Sequence, residues 1–276
     1  MTIRSRFAGR NALIPGGSQG IGFATARRFL LEGGSVTIVA RREGPLQAAQ
    51  EQLAGLVQEG QFLETISADA SDETSIGPVI DGLVERRGTP NYLLNCVGGS
   101  YPAYVTDLNP VDLRSQMETN YLGQAIPALL MVPHFHGAGG GHLGFVSSMM
   151  GYFVIIGFAA YAPAKFAVVG FAEALRHELK PQGVAVSILY PPDTDTPGFE
   201  NENRTKPAET AIMSEGAGLL TADQVAETFL KGVAAGRLHI HPKGSGLPWR
   251  LQRYVPGVLR TYLDYDLRRA TRKARM

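Results

Sequence analysis

The chain has 276 residues, 44% of them hydrophobic and 18% charged, which is enough apolar material to bury the core of one large domain. Its formal net charge of +1 argues against nucleic-acid binding through bulk electrostatics. One cysteine excludes an internal disulfide, no run of about 18 apolar residues suits a membrane span, and the basic first residues lack a signal-peptide pattern, so we expect a cytoplasmic protein.

Short apolar strands alternate with helical segments along the chain. The pattern predicts strands over residues 12–14, 35–40, 62–67, 92–96, 142–147 and 184–190. It predicts helices over residues 20–31, 45–58, 72–87, 111–135, 160–180 and 222–235. Such alternation indicates an α/β fold with a single doubly wound parallel sheet and helices on both faces.

A glycine-rich loop lies between the first predicted strand and the first predicted helix. Glycines let backbone N–H groups approach a pyrophosphate closely, and a helix N-terminus adds partial positive charge. The alternative is a glycine-rich hairpin or turn. We interpret the loop as a dinucleotide site whose contacts are Gly16, Ser18, Gln19, Gly20, Ile21 and Gly22.

The second predicted strand ends at a pair of arginines, Arg41 and Arg42. An NAD site usually carries an acidic residue at this position, where it holds the ribose 2′-hydroxyl. Two guanidinium groups instead suit a 2′-phosphate. We therefore predict NADP(H) as the cofactor. Either arginine could instead be a solvated surface residue, and Arg41 is the better candidate for the phosphate contact.

The predicted strand 184–190 is followed by an irregular, polar stretch over residues 191–220. A loop of this length in a compact domain is usually a functional lid or disordered. Ligands of open α/β sheets bind beyond the carboxyl ends of the strands, where this stretch emerges. We therefore predict a substrate lid here.

The predicted chemistry rests on Ser148, Tyr161 and Lys165. Tyr161 and Lys165 are four residues apart and therefore share one face of a helix. A lysine cation beside a phenol stabilises the phenolate, so we expect a lowered pKa that makes Tyr161 a proton shuttle. Ser148 precedes Tyr161 by 13 residues, and this spacing selects it over Ser147. The alternative is an ordinary surface tyrosine and lysine.

Two apolar stretches bear on the substrate. Five apolar residues between Ser148 and Tyr161 could line an apolar entrance for an acyl tail, or they could be core or dimer contacts: Phe153, Val154, Ile155, Ile156 and Phe158. Residues 249–276 read as a basic amphipathic tail, interrupted by Pro256, after a domain over residues 1–248. The tail could lie on the cytoplasmic face of an anionic membrane or dock on the domain with a solvated basic face.

Taken together, these motifs resemble the short-chain dehydrogenase/reductase family over the whole chain. Asn95 and Gly98 resemble its segment after the fourth strand, Asn120 its helix-four asparagine, and Asp69 its aspartate near the adenine. The resemblance implies a Rossmann sheet, a homo-oligomer, Tyr161 as proton donor, Ser148 on the carbonyl oxygen, Lys165 on the ribose hydroxyls and Asn120 in a water relay. Locally, Asn120 could bond within its helix, and Asp69 could be a helix N-cap.

Within that family, the lid resembles the 3-ketodihydrosphingosine reductases, through residues 190–199 and 202–207. That resemblance implies NADPH-dependent reduction of a lipid-like ketone, with further cofactor contacts at Pro191, Thr194 and Thr196. Alternatives are a reductase for a steroid, a 3-oxoacyl thioester or a small alcohol, and a non-enzymatic NADP-sensing protein. The pairs His134/His136 and His239/His241 lack nearby acidic or cysteine partners in the sequence, so we expect surface or loop histidines and no metal.

Overall fold

The computed structural model describes residues 5–215 and 218–275. The strands are β1 Asn11–Pro15, β2 Ser35–Ala40, β3 Leu63–Ser67, β4 Tyr92–Asn95, β5 Gly141–Val146, β6 Val184–Leu189, β7 Thr194–Asp195, β8 Leu220–Thr221 and β9 His239–Ile240. Seven of them form one sheet in the order β3-β2-β1-β4-β5-β6-β9, and every neighbouring pair is parallel. The strand order reverses between β1 and β4, which is where ligands bind in such sheets.

Helices cover both faces of this sheet, as predicted. They are α1 Gly20–Leu31, α2 Glu43–Ala54, α3 Glu73–Arg87, α4 Pro110–Met117, α5 Gly123–Gly137, α6 Tyr161–Leu179, α7 Pro197–Asn203, α8 Ala208–Ser214, α9 Ala222–Ala234, α10 Gly246–Tyr254 and α11 Pro256–Ala274. One apolar core joins the sheet to α3, α5 and α6, and the other joins it to α1, α2 and α9. Leu13 and Ile14 enter opposite cores because successive strand residues face opposite sides.

Side-chain caps explain where several of these helices begin. The Asp72 side chain accepts a hydrogen bond from the Thr74 N–H, which makes Asp72 the N-cap of α3. Asn109 and Asp112 form a capping box at α4, and Thr221 and Gln224 form one at α9.

The predicted helix over residues 111–135 is not continuous. A π-helical turn, Glu118–Leu122, separates α4 from α5. Apolar periodicity cannot reveal such a turn, because one widened turn changes the hydrogen bonding and not the general polarity pattern. The sequence also missed β9, since two residues are too few for a period-2 pattern.

The prediction of an irregular segment over residues 191–220 is wrong. This segment contains the short strand β7, the helices α7 and α8, and the beginning of β8, which pairs with β7. Thr196 caps α7 by accepting from the Phe199 N–H at 3.1 Å. The Thr210 hydroxyl of α8 donates to the Ile156 carbonyl at 2.8 Å, which fixes the segment to the domain.

The C-terminal tail forms two helices separated at Pro256, as predicted. Helix α11 packs along α8, and Leu259 and Ala270 are buried in that contact. The docked arrangement is therefore the one that the structure describes. No helix within the described ranges is long and apolar enough to cross a lipid bilayer.

Candidate active site

A cavity of about 770 Å³ lies at the carboxyl ends of the strands. Its size suits a small-molecule or cofactor site. The loops after β1, β2, β4, β5 and β6 all contribute to its wall. It brings together the predicted catalytic and cofactor residues, with the exceptions of Asn95 and Asn120, which do not line it.

The glycine loop has no room for side chains at Gly16 and Gly22. A Cβ at Gly16 would lie 2.6 Å from the Cys96 backbone, and one at Gly22 would lie 2.2 Å from the Gly16 carbonyl oxygen. Gly16 and Gly20 also have positive φ values of 80° and 55°, which favour glycine. The loop joins β1 to α1, so the hairpin alternative is wrong. Its bare backbone at the N-terminus of α1 fits a bound pyrophosphate.

Two arginines extend the cavity wall beyond β2, next to the loop after β3. The Arg42 guanidinium donates to the Gln19 side chain, and Arg41 Nη1 lies 3.4 Å from Asp69 Oδ2. The N-cap of α3 is Asp72 and not Asp69, so the N-cap alternative for Asp69 is wrong. Although burial opposes it, hydrogen bonds from Ser71 and the Arg41 charge lower the pKa of Asp69.

Ser148 and Ser147 follow β5 and point to different partners. The buried Ser147 hydroxyl donates to the Lys165 carbonyl at 3.0 Å. The Ser148 Oγ lines the cavity and accepts from the Met150 N–H at 3.1 Å, at the start of a short 3₁₀ turn. The Ser148 hydroxyl is also near enough to the Tyr161 phenol to favour its ionised form. The structure thus places Ser148 where the sequence spacing predicted it.

Lys165 lies one turn after Tyr161 on α6 and reaches the same cavity. Its Nζ donates to the Val146 carbonyl at 3.0 Å and lies 5.5 Å from the centroid of the Tyr161 ring. A Cβ at Gly98 would lie 3.0 Å from this Nζ and 3.0 Å from Asn120 Oδ1. A glycine at this position therefore lets both polar groups approach the same stretch of backbone.

Burial, and not the lysine charge, dominates the protonation of this pair. Desolvation raises the pKa of Tyr161 above its usual value, and the nearby Ser148 hydroxyl opposes that rise only in part. Desolvation also lowers the pKa of Lys165 to about 7, so its charged and neutral forms coexist near neutral pH. The predicted lowering of the Tyr161 pKa by Lys165 is therefore wrong for this structure.

The π-helical turn places Asn120 and Gln124 between the ends of β4 and β5. Asn120 Nδ2 donates to the Gly99 carbonyl at 2.9 Å, and its Oδ1 accepts from the Gly99 N–H at 3.0 Å. Gln124 bonds both the N–H and the carbonyl of Val146, at 3.0 and 2.9 Å, and also the Val97 carbonyl. Such turns often occur at functional sites. Sequence reasoning found Asn120 by resemblance and missed Gln124.

Asn95 and Cys96 lie at the end of β4. Asn95 is fully buried, and neither polar atom of its side chain has a hydrogen-bond partner within the described part of the chain. Burial raises the pKa of the Cys96 thiol to about 12, so it is a packing residue and not a nucleophile at neutral pH.

The segment after β6 gives the cavity a charged wall that sequence reasoning missed. Pro191, Thr194 and Thr196 line the cavity as predicted, and Asp193 and Glu202 line it as well. Glu202 Oε1 lies 2.9 Å from Lys206 Nζ, and Asp193 Oδ2 lies 3.9 Å from the same atom. The spacing of Glu202 and Lys206 by one helical turn was the signal available in the sequence.

Apolar side chains surround the catalytic tyrosine. Phe158 packs with its ring centroid 5.9 Å from that of Tyr161, and Phe153 and Ile155 belong to the same cluster. All three line the cavity, together with Leu259 and Leu263 of α11. The segment 153–158 and the C-terminal tail therefore form parts of one wall.

The histidine pairs occupy unlike environments. His134 and His136 lie near the end of α5, where His134 Nε2 is 3.1 Å from Asp81. His241 lies in the loop after β9, whereas His239 lies on β9 itself and is not a loop residue. Both rings pack with Tyr190 and Trp249. Among the residues described, no three His, Cys, Asp or Glu side chains come together as a metal site would require.

Comparisons with known proteins agree with this geometry. The family model of the short chain dehydrogenases matches residues 10–207. A 3-dehydrosphinganine reductase of Danio rerio is 38% identical over 230 residues, which cover 83% of this chain and 69% of the relative. A 3-ketodihydrosphingosine reductase of Bos taurus is 37% identical over 233 residues, which cover 84% and 70%.

Solved structures share the fold at lower identity. Levodione reductase superposes with a TM-score of 0.78 at 23% identity, covering 87% of this chain and 98% of its own. A short-chain dehydrogenase/reductase from Mycobacterium ulcerans has the same TM-score at 22% identity, covering 87% and 91%. On the match over residues 10–207 and the identity to these relatives, the chain belongs to the short-chain dehydrogenase/reductase family.

Proposed function

We propose that this protein reduces the 3-keto group of 3-ketodihydrosphingosine to dihydrosphingosine, with NADPH as cofactor. The observation that carries the proposal is the shared cavity of Ser148, Tyr161 and Lys165 beside the glycine loop. Relatives named 3-dehydrosphinganine or 3-ketodihydrosphingosine reductase, at 36–38% identity over most of the chain, support the choice of substrate. The reaction would belong to sphingolipid synthesis.

A bound NADPH supplies the hydride that the ketone carbon accepts. Tyr161 holds the proton that the developing alkoxide requires, and its raised pKa keeps the phenol protonated at neutral pH. The Ser148 hydroxyl stabilises the growing negative charge on the carbonyl oxygen. The buried Lys165 places a donor beside the site and exchanges protons near neutrality, since its pKa is about 7. Asn120 positions the Gly99 backbone between these groups.

NADPH, rather than NADH, is favoured by the charges beyond β2. Arg41 and Arg42 are exposed at the rim of the cavity and could bind a 2′-phosphate. Gly16, Gly20 and Gly22 would hold the pyrophosphate, and Asp69 would lie at the adenosine end of the same cavity. Thr194, Thr196 and Pro191 would close over the cofactor from the other side.

Two alternatives are less well supported. A steroid, 3-oxoacyl or small-alcohol reductase would use the same three catalytic groups, but the relatives by name act on the sphingoid ketone. A protein that only senses NADP would not need a phenol, a serine hydroxyl and a buried lysine together on the wall of one cavity.

We further propose a catalytic domain over residues 1–248 and a peripheral contact of residues 249–276 with the cytoplasmic face of a membrane. Val258, Tyr262 and Tyr265 of α11 are exposed, and arginines surround them. We also propose a homo-oligomer, because Leu113, Leu129 and Phe166 expose apolar surface on α4, α5 and α6.

The experiment that tests the function measures NADPH oxidation with 3-ketodihydrosphingosine for the wild type and for Tyr161→Phe. Loss of the acidic proton should lower kcat by about a hundredfold or more. NADPH affinity should change little, because the ring remains in its packing. Tyr92→Phe is the matched control, since Tyr92 begins β4 at the opposite edge of the sheet. Near-normal turnover of Tyr161→Phe would refute the proton-donor role.

A further inference from the structure

We propose that Glu202, with Asp193 beside it, binds the ammonium group of the substrate and selects a 2-amino ketone over a neutral ketone. This inference rests on the proposed function, because the sphingoid ketone carries an amine on the carbon next to its carbonyl group. It assigns a specificity role to two side chains outside the catalytic group.

Both carboxylates belong to the wall of the catalytic cavity. Glu202 lies near the end of α7, and Asp193 immediately precedes β7. Their side chains are 13% and 30% exposed, so each has given up most of its hydration. Burying a carboxylate is costly unless a cation or several donors compensate for the lost water.

One lysine is shared between the two acids. The Lys206 side chain is 4% exposed, and its Nζ lies 2.9 Å from Glu202 Oε1 and 3.9 Å from Asp193 Oδ2. The same Nζ lies 4.5 Å from the centroid of the Phe199 ring, within reach of a cation–π contact. Burial raises the pKa of both acids, and Lys206 opposes that rise. When both are ionised, two carboxylates against one ammonium leave one negative charge, which a second cation could neutralise.

The cluster lies close to the group that would protonate the carbonyl oxygen. The charges of Glu202 and Asp193 both contribute to the raised pKa of Tyr161, in addition to its burial. In the proposed substrate, the ammonium-bearing carbon is bonded directly to the carbonyl carbon. A group that recognises the ammonium must therefore share a cavity with the proton donor, and Glu202, Asp193 and Tyr161 all line this cavity.

A hydroxyl also lies next to the cluster. Ser100 lines the cavity, and its Oγ is near enough to the Glu202 carboxyl to lower the pKa of that carboxyl, which opposes the effect of burial.

The competing interpretation is that the cluster only holds the segment after β6 together. Glu202 and Lys206 would then tie one turn of α7 to the loop of Asp193. That role predicts a loss of stability on substitution, with equal effects on every substrate. Substrate recognition predicts an effect that depends on the amine.

The experiment compares kcat/KM for 3-ketodihydrosphingosine with kcat/KM for the analogue that has hydrogen in place of the amine. The wild type should prefer the amine by roughly tenfold or more, as expected for one charge-assisted hydrogen bond. Glu202→Gln should bring this ratio close to one, mainly by raising KM for the amine. Asp193→Asn should lower the ratio in the same direction. Glu200→Gln removes the same charge from an exposed position of α7 and should leave the ratio unchanged.

Thermal unfolding and NADPH binding show whether each variant is folded. If Glu202→Gln does not fold, Asp193→Asn carries the test. A wild-type enzyme that reduces the amino ketone with a ratio unaffected by either substitution would overturn this inference and leave the proposed function intact. A wild-type enzyme that reduces only neutral ketones would overturn both.

Discussion

The protonation of the side chains in this cavity depends on their burial as much as on the charges of their neighbours. The Tyr161 phenol keeps its proton because desolvation disfavours the phenolate, and this is the form that protonates an alkoxide. The spacing of Tyr161 and Lys165 revealed their shared face, but the sequence could not reveal that the Lys165 side chain is buried.

The preference for NADPH is a prediction about one guanidinium group. Arg41→Asp should raise KM for NADPH by roughly tenfold or more, because a carboxylate would repel the 2′-phosphate that the arginine attracts. KM for NADH should change far less. The Arg41 side chain is 61% exposed, so the substitution should leave the core intact. Steady-state kinetics with both cofactors provide the measurement.

A control variant with the same charge reversal makes this test more specific, and the position of Asp69 affects its expected size. Arg10→Asp is the control, because Arg10 immediately precedes β1 at the amino edge of the sheet. Asp69 lies 3.4 Å from Arg41, so part of the arginine charge is already compensated before a phosphate binds. Equal changes in the two Michaelis constants would contradict the assignment of the 2′-phosphate to Arg41.

At the scale of elements, the π-helical turn positions the catalytic group. Gln124 follows that turn, is fully buried, and joins Val97 after β4 to Val146 at the end of β5. Val146 in turn accepts the Lys165 ammonium hydrogen bond. The Gln124 side-chain amide thus connects its helix to the ends of β4 and β5, and through Val146 to Lys165.

Gln124→Met tests this connection. Methionine has a similar volume but leaves the Val146 N–H without its acceptor, so we expect the free energy of unfolding to fall by about 2 kcal/mol. Turnover should fall as well, because Lys165 depends on the same carbonyl. Denaturant unfolding and kcat provide the measurements. The control Gln47→Met alters an exposed glutamine of α2 and should change neither. An unaltered kcat would show that the amide does not position the lysine.

Elements differ in how far the sequence predicts them. The strands and helices of the doubly wound core follow from apolar periodicity, and α1 has the predicted limits of residues 20–31. The segment 191–220 misled us because α7 and α8 are short and polar, with few apolar residues to set a period. Its order comes from tertiary contacts, such as Thr210 with Ile156 and α8 with α11, which no local pattern encodes.

For the whole molecule, the cavity connects the catalytic group to the C-terminal tail. Leu259, Tyr262 and Leu263 of α11 line it, while Val258 and Tyr265 of the same helix are exposed. Helix α11 therefore faces both the cavity and the outside of the protein. The sequence predicted the amphipathic tail and its break at Pro256, but it could not tell that the tail completes the wall of the cavity, because that depends on its packing against α8.

Substitution of one exposed valine tests the membrane contact of the tail. Val258 on α11 is 59% exposed, and Val258→Asp should lower binding to phosphatidylserine-containing vesicles by roughly tenfold, because it removes apolar area and adds a repelled charge. Val105 is 73% exposed outside the tail, so Val105→Asp is the matched control and should bind like the wild type. Co-sedimentation with anionic and with neutral vesicles measures both effects. Equal binding by all three proteins would mean that α11 only docks on the domain, and that its arginines are a solvated face.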